Sequence, residues 1–468
     1  MNKVLAFDFG ASSGRAILAE YDNGALTYKE VHRFENIPIE KDDAMFWNID
    51  ALMQNIKIGI KNAGTFDSLA FDTWGVDYGL LDKDGKLMQN PHHYRDIRTN
   101  GISAQACKLM PAAKLYKETG NQILDMNTLF QLITTDLSEA NTLLFIPDLL
   151  AYLLCGKAVC EMSIASTSQM LNPITELWSK PVLNAFNIPE SLFAPLVKSG
   201  TVIGEYNGAK VISVAGHDTQ CAVAAIPTKN SNAAFLSCGT WSLLGTELDC
   251  PILTEFSKLQ ELSNEIGANG KINYLKNIIG LWLIQESRRE YKRQGTDYSY
   301  AELERLALAT SPFKCFIDPC APEFVSPGNI PQRIQEYCRK THQYVPQSVG
   351  EIMRCIYESL AFKYRFTIAQ LMSSTQKEFT TLHILGGGAK DRLLCQMTAN
   401  SINMPVIAGP IEATALGNII IQLKALGAIS DIDEGRNILA NTENLTTYTP
   451  SDAQVWDAAY KIYKEMAL

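Results

Sequence analysis

The chain runs to 468 residues, 46% apolar and 19% charged, with a net charge of −9. That length exceeds one ordinary hydrophobic core, so two domains or two large lobes are expected, and the composition excludes disorder over most of the chain. The acidic balance excludes a nucleic-acid binder, which needs a basic stripe to displace counterions from phosphates, although backbone N–H groups at Gly-rich turns still take up phosphate locally.

The first segment reads as a β-hairpin: strand Val4-Leu5-Ala6-Phe7, turn Asp8-Phe9-Gly10-Ala11-Ser12-Ser13-Gly14-Arg15, strand Ala16 to Tyr21. The acid at Asp8 interrupts the apolar run too early for a secretory signal. Ala11, Ser12, Ser13 and Gly14 are small, so their N–H groups and hydroxyls suit an anion nest to which Arg15 adds charge. Asp8, at the strand end, is placed to hold a magnesium ion through water. Leu69 to Gly85 reads as strands ending in an Asp-x-Gly turn. His92-His93 is a structural or substrate-contact pair, because adjacent residues do not face one way. Pro147 and Gly156 frame a helix from Asp148 to Cys155. Its apolar stretch, Leu149 to Cys155, is about a third of the roughly 20 residues a membrane span needs, so a cytoplasmic protein is expected.

Next comes the apolar strand Val211 to Ala215, followed by Gly216-His217-Asp218-Thr219 and a helix from Thr219. Asp218 is either that helix's cap or a carboxylate at the open end of a buried strand, able to take a proton from a substrate hydroxyl. The polar stretch Pro227 to Asn232 is the natural boundary, giving domains 1–230 and 231–468. The hairpin pattern then recurs as Ala233 to Leu236, Ser237-Cys238-Gly239-Thr240-Trp241-Ser242, and Leu243 to Thr246, which suggests a duplicated fold. Leu382 to Leu385, Gly386-Gly387-Gly388 and a helix from Asp391 fit either a phosphate approach or a plain tight turn. A last helix is expected from Asp452 to Met466. Eleven cysteines without Cys-x-x-Cys, and six histidines without zinc-ligand spacing, read as reduced, mostly buried thiols. Strand and helix signals alternate throughout, favouring α/β lobes.

No G-x-x-x-x-G-K-[ST] occurs, and no G-x-G-x-x-G follows a strand, so two common nucleotide-binding classes are disfavoured. The combination resembles the FGGY family of carbohydrate kinases, in the actin, hexokinase and Hsp70-like group of duplicated ATP-binding folds. The resemblance covers nearly the whole chain. It is carried by Asp8 to Arg15, Asp72-Thr73-Trp74-Gly75-Val76-Asp77, Tyr94 to Asn100, Gly216 to Thr219, Ser237 to Ser242, Leu275 to Trp282, and Ala408 to Ala413. It implies an α/β fold of two duplicated RNase H-like lobes with an ATP and sugar cleft between them. By the same resemblance Asp218 is the proton acceptor, and Gly75, His217, Thr219 and Asn277 contact the sugar. Val76 and Asp77 belong to the loop lining that pocket. ATP is implied to contact Ala11, Ser12, Ser13, Gly14, Arg15, Thr240, Gln285 and Gly387, with Mg2+ as cofactor. One departure is Cys238, where a second serine is expected; cysteine is a weak donor, which puts a side-chain phosphate contact there in doubt.

The implied reaction moves the γ-phosphoryl of Mg·ATP to the primary hydroxyl of a ketose. An ordinary aspartate suffices, being ionised near neutral pH. The expected partners are ATP and a ketose, with no nucleic acid and no membrane, the chain acting as a monomer or small homo-oligomer. Two alternatives stay open: a kinase for another ketose, such as L-fuculose or L-xylulose, and a non-catalytic sugar or nucleotide sensor of the same fold.

Overall fold

The computed structural model describes residues 1–467; Leu468, which ends the expected second domain, lies outside the described residues. The backbone packs into two compact units. The first holds Met1–Lys229, Glu247–Leu275 and Ala413–Glu443; the second holds Asn230–Thr246, Lys276–Glu412 and the chain from Asn444 onward.

The strands that matter are β1 (Asn2–Phe9), β2 (Ser13–Asp22), β3 (Ala25–Glu35), β4 (Ser68–Thr73), β5 (Thr201–Tyr206) and β6 (Ala209–Ser213). They are followed by β7 (Ala233–Cys238), β8 (Trp241–Leu248), β9 (Ser263–Ile266), β10 (Ile272–Ile279), β11 (Thr381–Leu385), β12 (Val406–Ala408) and β13 (Thr446–Tyr448). In the first unit six of them form one sheet in the order β5-β6-β4-β1-β2-β3. β1 pairs antiparallel with β2 and parallel with β4, and β6 runs parallel to β4. β1 and β4 are apolar on both faces because both are covered, as central parallel strands require. Phe7 stacks on Phe71 across them at 5.1 Å.

In the second unit β8-β7-β11-β12-β13 follow one another, paired antiparallel, parallel, parallel and antiparallel. That repeats the succession β2-β1-β4-β6-β5 of the first unit, including the direction of each pair. Both expected hairpins form, and the shared order is what a duplicated unit leaves behind.

Helix Asp218–Ala224 follows β6 and is clamped from two sides within the first unit. Helix Ala413–Ala425 crosses it at Gly417, where a Cβ would run into the backbone carbonyl of Cys221. At the other end the buried Arg436 donates to the carbonyls of Ala224 and Val223 at 3.2 and 3.0 Å, satisfying C-terminal oxygens that have no helical partner. The expected helix near Pro147 spans Ile146–Cys155 and stops at Gly156 in the left-handed conformation. The final helix is Ala453–Ala467. Among the described residues no helix is long and apolar enough to cross a membrane.

Candidate active site

Two loops at the ends of neighbouring strands meet in the first unit. After β4, the Thr73 N–H donates to the Gly216 carbonyl at 2.8 Å, tying the Trp74–Asp77 turn to the segment that carries His217 and Asp218. Gly75 faces the imidazole of His217 so closely that a Cβ there would stand 3.4 Å from its ring atoms. Val76 sits at φ +66°, a strained conformation for a β-branched residue. It is held there because its N–H donates to Thr167 Oγ1 at 3.1 Å and its carbonyl accepts from Thr128 Oγ1 at 2.6 Å.

Asp218 is the first residue of its helix, and the cap position itself belongs to His217, whose side chain caps nothing. The capping alternative is therefore reduced to one short local contact, Thr219 N–H to Asp218 Oδ1 at 2.6 Å. The carboxylate keeps 31% exposure. Burial by its surroundings and the nearby charge of Asp8 push its pKa up to about 6, against the opposing pull of His217 and the Thr219 N–H. The carboxylate is still ionised near neutral pH, as the sequence reading requires, and the neighbours that raise its pKa come from distant parts of the sequence. Thr219 itself is buried beside the carboxylate.

Asp77 is wholly enclosed. Its carboxylate accepts from Trp47 Nε1 at 2.6 Å, Trp74 Nε1 at 3.0 Å, the Tyr94 N–H at 3.1 Å and Gln131 Nε2 at 2.8 Å. Burial outweighs these donors and lifts its pKa to about 7. Asp77 thus organises an aromatic floor in which Trp47 stacks on His93 at 4.1 Å and lies 3.8 Å from Trp74. His92 lies against Phe46, so the histidine pair is built into the wall.

The first hairpin turn closes through the Gly10 N–H to the Ser13 carbonyl at 2.9 Å and is pinned by Asn36, whose Nδ2 donates to the Gly10 carbonyl at 3.1 Å. Ser12 is exposed, Ala11 and Ser13 are half-buried, and Gly14 is packed beneath the rings of Phe9 and Phe34. Arg15 does not stand as an isolated charge, since its Nε and one terminal nitrogen bind Asp8 Oδ2 at 2.9 and 2.5 Å. Asp8 and Asp72 are register partners on β1 and β4. Asp72 accepts from Asn418 Nδ2 at 2.6 Å, while its Oδ1 is buried without a hydrogen-bond partner. Burial first, then the charges of Asp8 and Asp218, drives the Asp72 pKa well above the usual range.

In the second unit, Thr240 Oγ1 donates to Gln285 Oε1 at 3.3 Å, and the carbonyls of Gly239 and Thr240 receive the N–H groups of Leu281 and Trp282. The hairpin turn is thus seated on the start of helix Trp282–Arg293. Asn277 lies half-buried on β10. The triple glycine forms a single tight 3-10 turn, Gly386–Lys390, followed by helix Arg392–Ile402 with Asp391 as its cap. Gly387 faces open space, whereas Gly388 packs directly against the Cys238 side chain. Cys238 points into that packing, 3.7 Å from Ser242 Oγ, and burial raises its pKa to about 12. Its thiol is turned into the protein, which answers the doubt over a phosphate contact through that side chain.

Three features were not read from the sequence. Glu265 on β9 accepts from His217 Nδ1 at 2.9 Å. Glu161 gathers the N–H groups of Ser163, Ile164 and Gly216, and so fixes the approach to His217. In the second unit Cys315, Cys338 and Cys355 bring three buried thiols within 4.8 Å of one another. Glu265 sits in a short, mostly polar strand, Ser263–Ile266, and nothing local marked it or its partner.

Comparison with known proteins follows the same lines. The family description "FGGY family of carbohydrate kinases, N-terminal domain" matches residues 3–235, and the corresponding C-terminal domain matches residues 234–426. The chain is 41% identical to a rhamnulokinase of Bacteroides thetaiotaomicron, with 98% of each chain covered. It is 40% identical to a rhamnulokinase of Enterococcus faecalis, over 99% of this chain and 98% of the other. Among solved structures, a gluconate kinase from Lactobacillus acidophilus shares the fold with a TM-score of 0.79 at 17% identity, over 99% of this chain and 97% of that one. The chain belongs to the FGGY family of carbohydrate kinases.

Proposed function

We propose that the chain transfers the γ-phosphoryl group of ATP to the 1-hydroxyl of L-rhamnulose, giving L-rhamnulose 1-phosphate and ADP in the cytoplasm, as a step of L-rhamnose degradation. The choice of sugar rests on the similarity to proteins named rhamnulokinase over nearly the full length of both chains. The observation that carries the chemistry is the accessibility of Asp218. Of the three acids that influence one another here, the Asp218 side chain is 31% exposed and that of Asp8 only 8%, while Asp72 is fully buried. Only Asp218 is open to a substrate hydroxyl.

In this reading Asp218 takes the proton of the sugar hydroxyl as the new O–P bond forms and the bond to the bridging oxygen of ATP breaks. Such transfers pass through a loose transition state in which positioning and charge neutralisation carry most of the rate, so the base adds about 10² to 10⁴-fold. With a pKa of about 6 the carboxylate is ionised at neutral pH. His217, Thr219, Gly75 and Val76 bound the sugar and Asp77 shapes the loop beneath it, while Asn277 is assigned to the sugar by the family resemblance alone. Ala11, Ser12, Ser13, Gly14 and Arg15 of the first unit are assigned to phosphate, and Thr240, Gln285 and Gly387 of the second to ATP.

Magnesium fits this chain. Asp8, Asp72 and Asp218 add negative charge to one another's surroundings, offset by Arg15 beside Asp8 and Asp72 and by His217 beside Asp218. Asp8 would hold the ion through water, where it would neutralise the phosphate oxygens. An excess of chelator that left phosphoryl transfer intact would remove the ion from the scheme. Residues 1–230 and 231–468 are proposed as the sugar-and-phosphate and ATP-binding domains, with no nucleic-acid or membrane partner and a monomeric or small homo-oligomeric state. A panel of pure ketoses assayed by coupled ADP release tests the substrate: L-rhamnulose is expected to give the highest kcat/KM. Preference for L-fuculose or L-xylulose would reassign it, and ADP release independent of any sugar would favour a sensor.

A further inference from the structure

His217 stands between two carboxylates. Its Nδ1 is 2.9 Å from Glu265 Oε2, and its Nε2 is 3.4 Å from Asp218 Oδ1. The first contact is fixed from behind. Gln220, one helical turn beyond His217, gives its amide N–H to the same Glu265 oxygen at 2.6 Å, and its own amide oxygen is engaged by Asn273 Nδ2. Glu265, Gln220 and Asn273 are all buried. A carboxylate accepts and does not donate, so at 2.9 Å from Glu265 the His217 Nδ1 is an N–H donor, with the Gln220 amide nitrogen standing farther off at 3.5 Å. A second proton, on Nε2, gives the imidazolium that carboxylates beside both ring nitrogens favour, and its Nε2–H then faces Asp218. Asp218 Oδ1 already takes the Thr219 N–H, and the Nε2 contact falls on the same oxygen, leaving Oδ2 for the substrate.

We propose that Glu265 is a positioning residue for phosphoryl transfer: lying against Nδ1 while Asp218 lies beside Nε2, it holds His217 as an imidazolium, whose Nε2–H faces Asp218 and keeps that carboxylate oriented towards the acceptor hydroxyl. This rests on the assignment of Asp218 as proton acceptor. During transfer the sugar O–H bond breaks and its proton passes to Asp218 Oδ2, while the O–P bond forms and the bridging P–O bond of ATP breaks. The His217 protons stay in place.

The charged groups around the pair are Glu265 from β9, Glu161 ahead of helix Met162–Ala165, Asp8 and Asp72 from β1 and β4, and Arg15 from β2, which is bonded to Asp8. Burial opposes a charged imidazole, but Glu265, followed by Asp218 and Glu161, outweighs it and raises the His217 pKa. The imidazolium in turn draws the Asp218 pKa down against burial. Neutralising Glu265 weakens the first effect and therefore the second, so Asp218 would ionise at higher pH.

The test is Glu265→Gln in the full chain, which keeps side-chain size and an acceptor oxygen but removes the charge. The acid limb of the kcat/KM profile for the sugar is expected to move up by about one pH unit. Activity would then be about ten-fold below wild type on the acid side and within about two-fold near pH 9, with ATP affinity unchanged. A limb that stays put, or a loss equal at every pH, overturns the proposal. Asp218→Asn measured alongside separates the two readings: near-normal turnover there sinks the proton-acceptor assignment itself. An inactive Asp218→Asn with an unmoved limb in Glu265→Gln sinks only the role of Glu265. A second measurement needs no folded variant. In the wild-type chain labelled with 15N-histidine, both ring nitrogens of His217 are expected to carry protons near pH 7, and a neutral ring with a single N–H overturns the proposal.

Discussion

Asp8 and Asp72 face each other across two parallel strands, and only one of them has a cation. Asp8 is bound by Arg15 at 2.5 Å, whereas Asp72 has one amide donor from Asn418 and a buried oxygen with no partner. Burial and the charge of Asp8 make Asp72 resist ionising.

That relationship predicts a stability signature. A carboxyl whose pKa is raised on folding binds more protons in the folded than in the unfolded state, so it lowers stability as pH rises from its ordinary value near 3.8 towards its raised one. Asp72→Asn removes that slope. Its midpoint of thermal unfolding, relative to wild type, should climb as pH rises above about 4. A difference that is flat with pH, or falls, would mean Asp72 ionises freely in the folded chain.

A second prediction concerns rate. Asp218 must be ionised to accept a proton, and its pKa is raised to about 6. In the wild-type chain, kcat/KM for the sugar should fall about ten-fold per unit of pH below that value and level off above about pH 7. A profile still flat at pH 5 would place the proton elsewhere.

The third lies in the second unit. Thr240 Oγ1 is held by Gln285 at the seat of the hairpin turn. Thr240→Val should weaken ATP binding by about five-fold to thirty-fold, the value of one lost hydrogen bond of about 1 to 2 kcal/mol, with sugar affinity changed by less than about two-fold. Calorimetric titrations with each ligand decide it, and the reverse order would take Thr240 out of the phosphate site.

The readable parts of the sequence were those whose cause is local. Both hairpins could be seen because small residues at Gly10–Gly14 and Gly239–Thr240 interrupt apolar strands. The helix ending at Gly156 could be seen because proline and glycine bracket it. What escaped was set by distance along the chain. Glu265 meets His217 across 48 residues, and Asn418 reaches Asp72 across 346. No short pattern encodes such a pairing. The raised pKa of Asp218 escaped for the same reason, since burial and Asp8 produce it. Cys238 was noticed as a departure, but its reason, a thiol filling the space beside Gly388, needed coordinates.

The most direct measurement is turnover of Asp218→Asn with L-rhamnulose and Mg·ATP, beside equilibrium binding of both substrates. The amide keeps the shape but cannot accept the proton, so binding should persist while turnover falls at least about 100-fold. Turnover close to wild type, with both ligands bound, would contradict the assignment of this carboxylate as the proton acceptor.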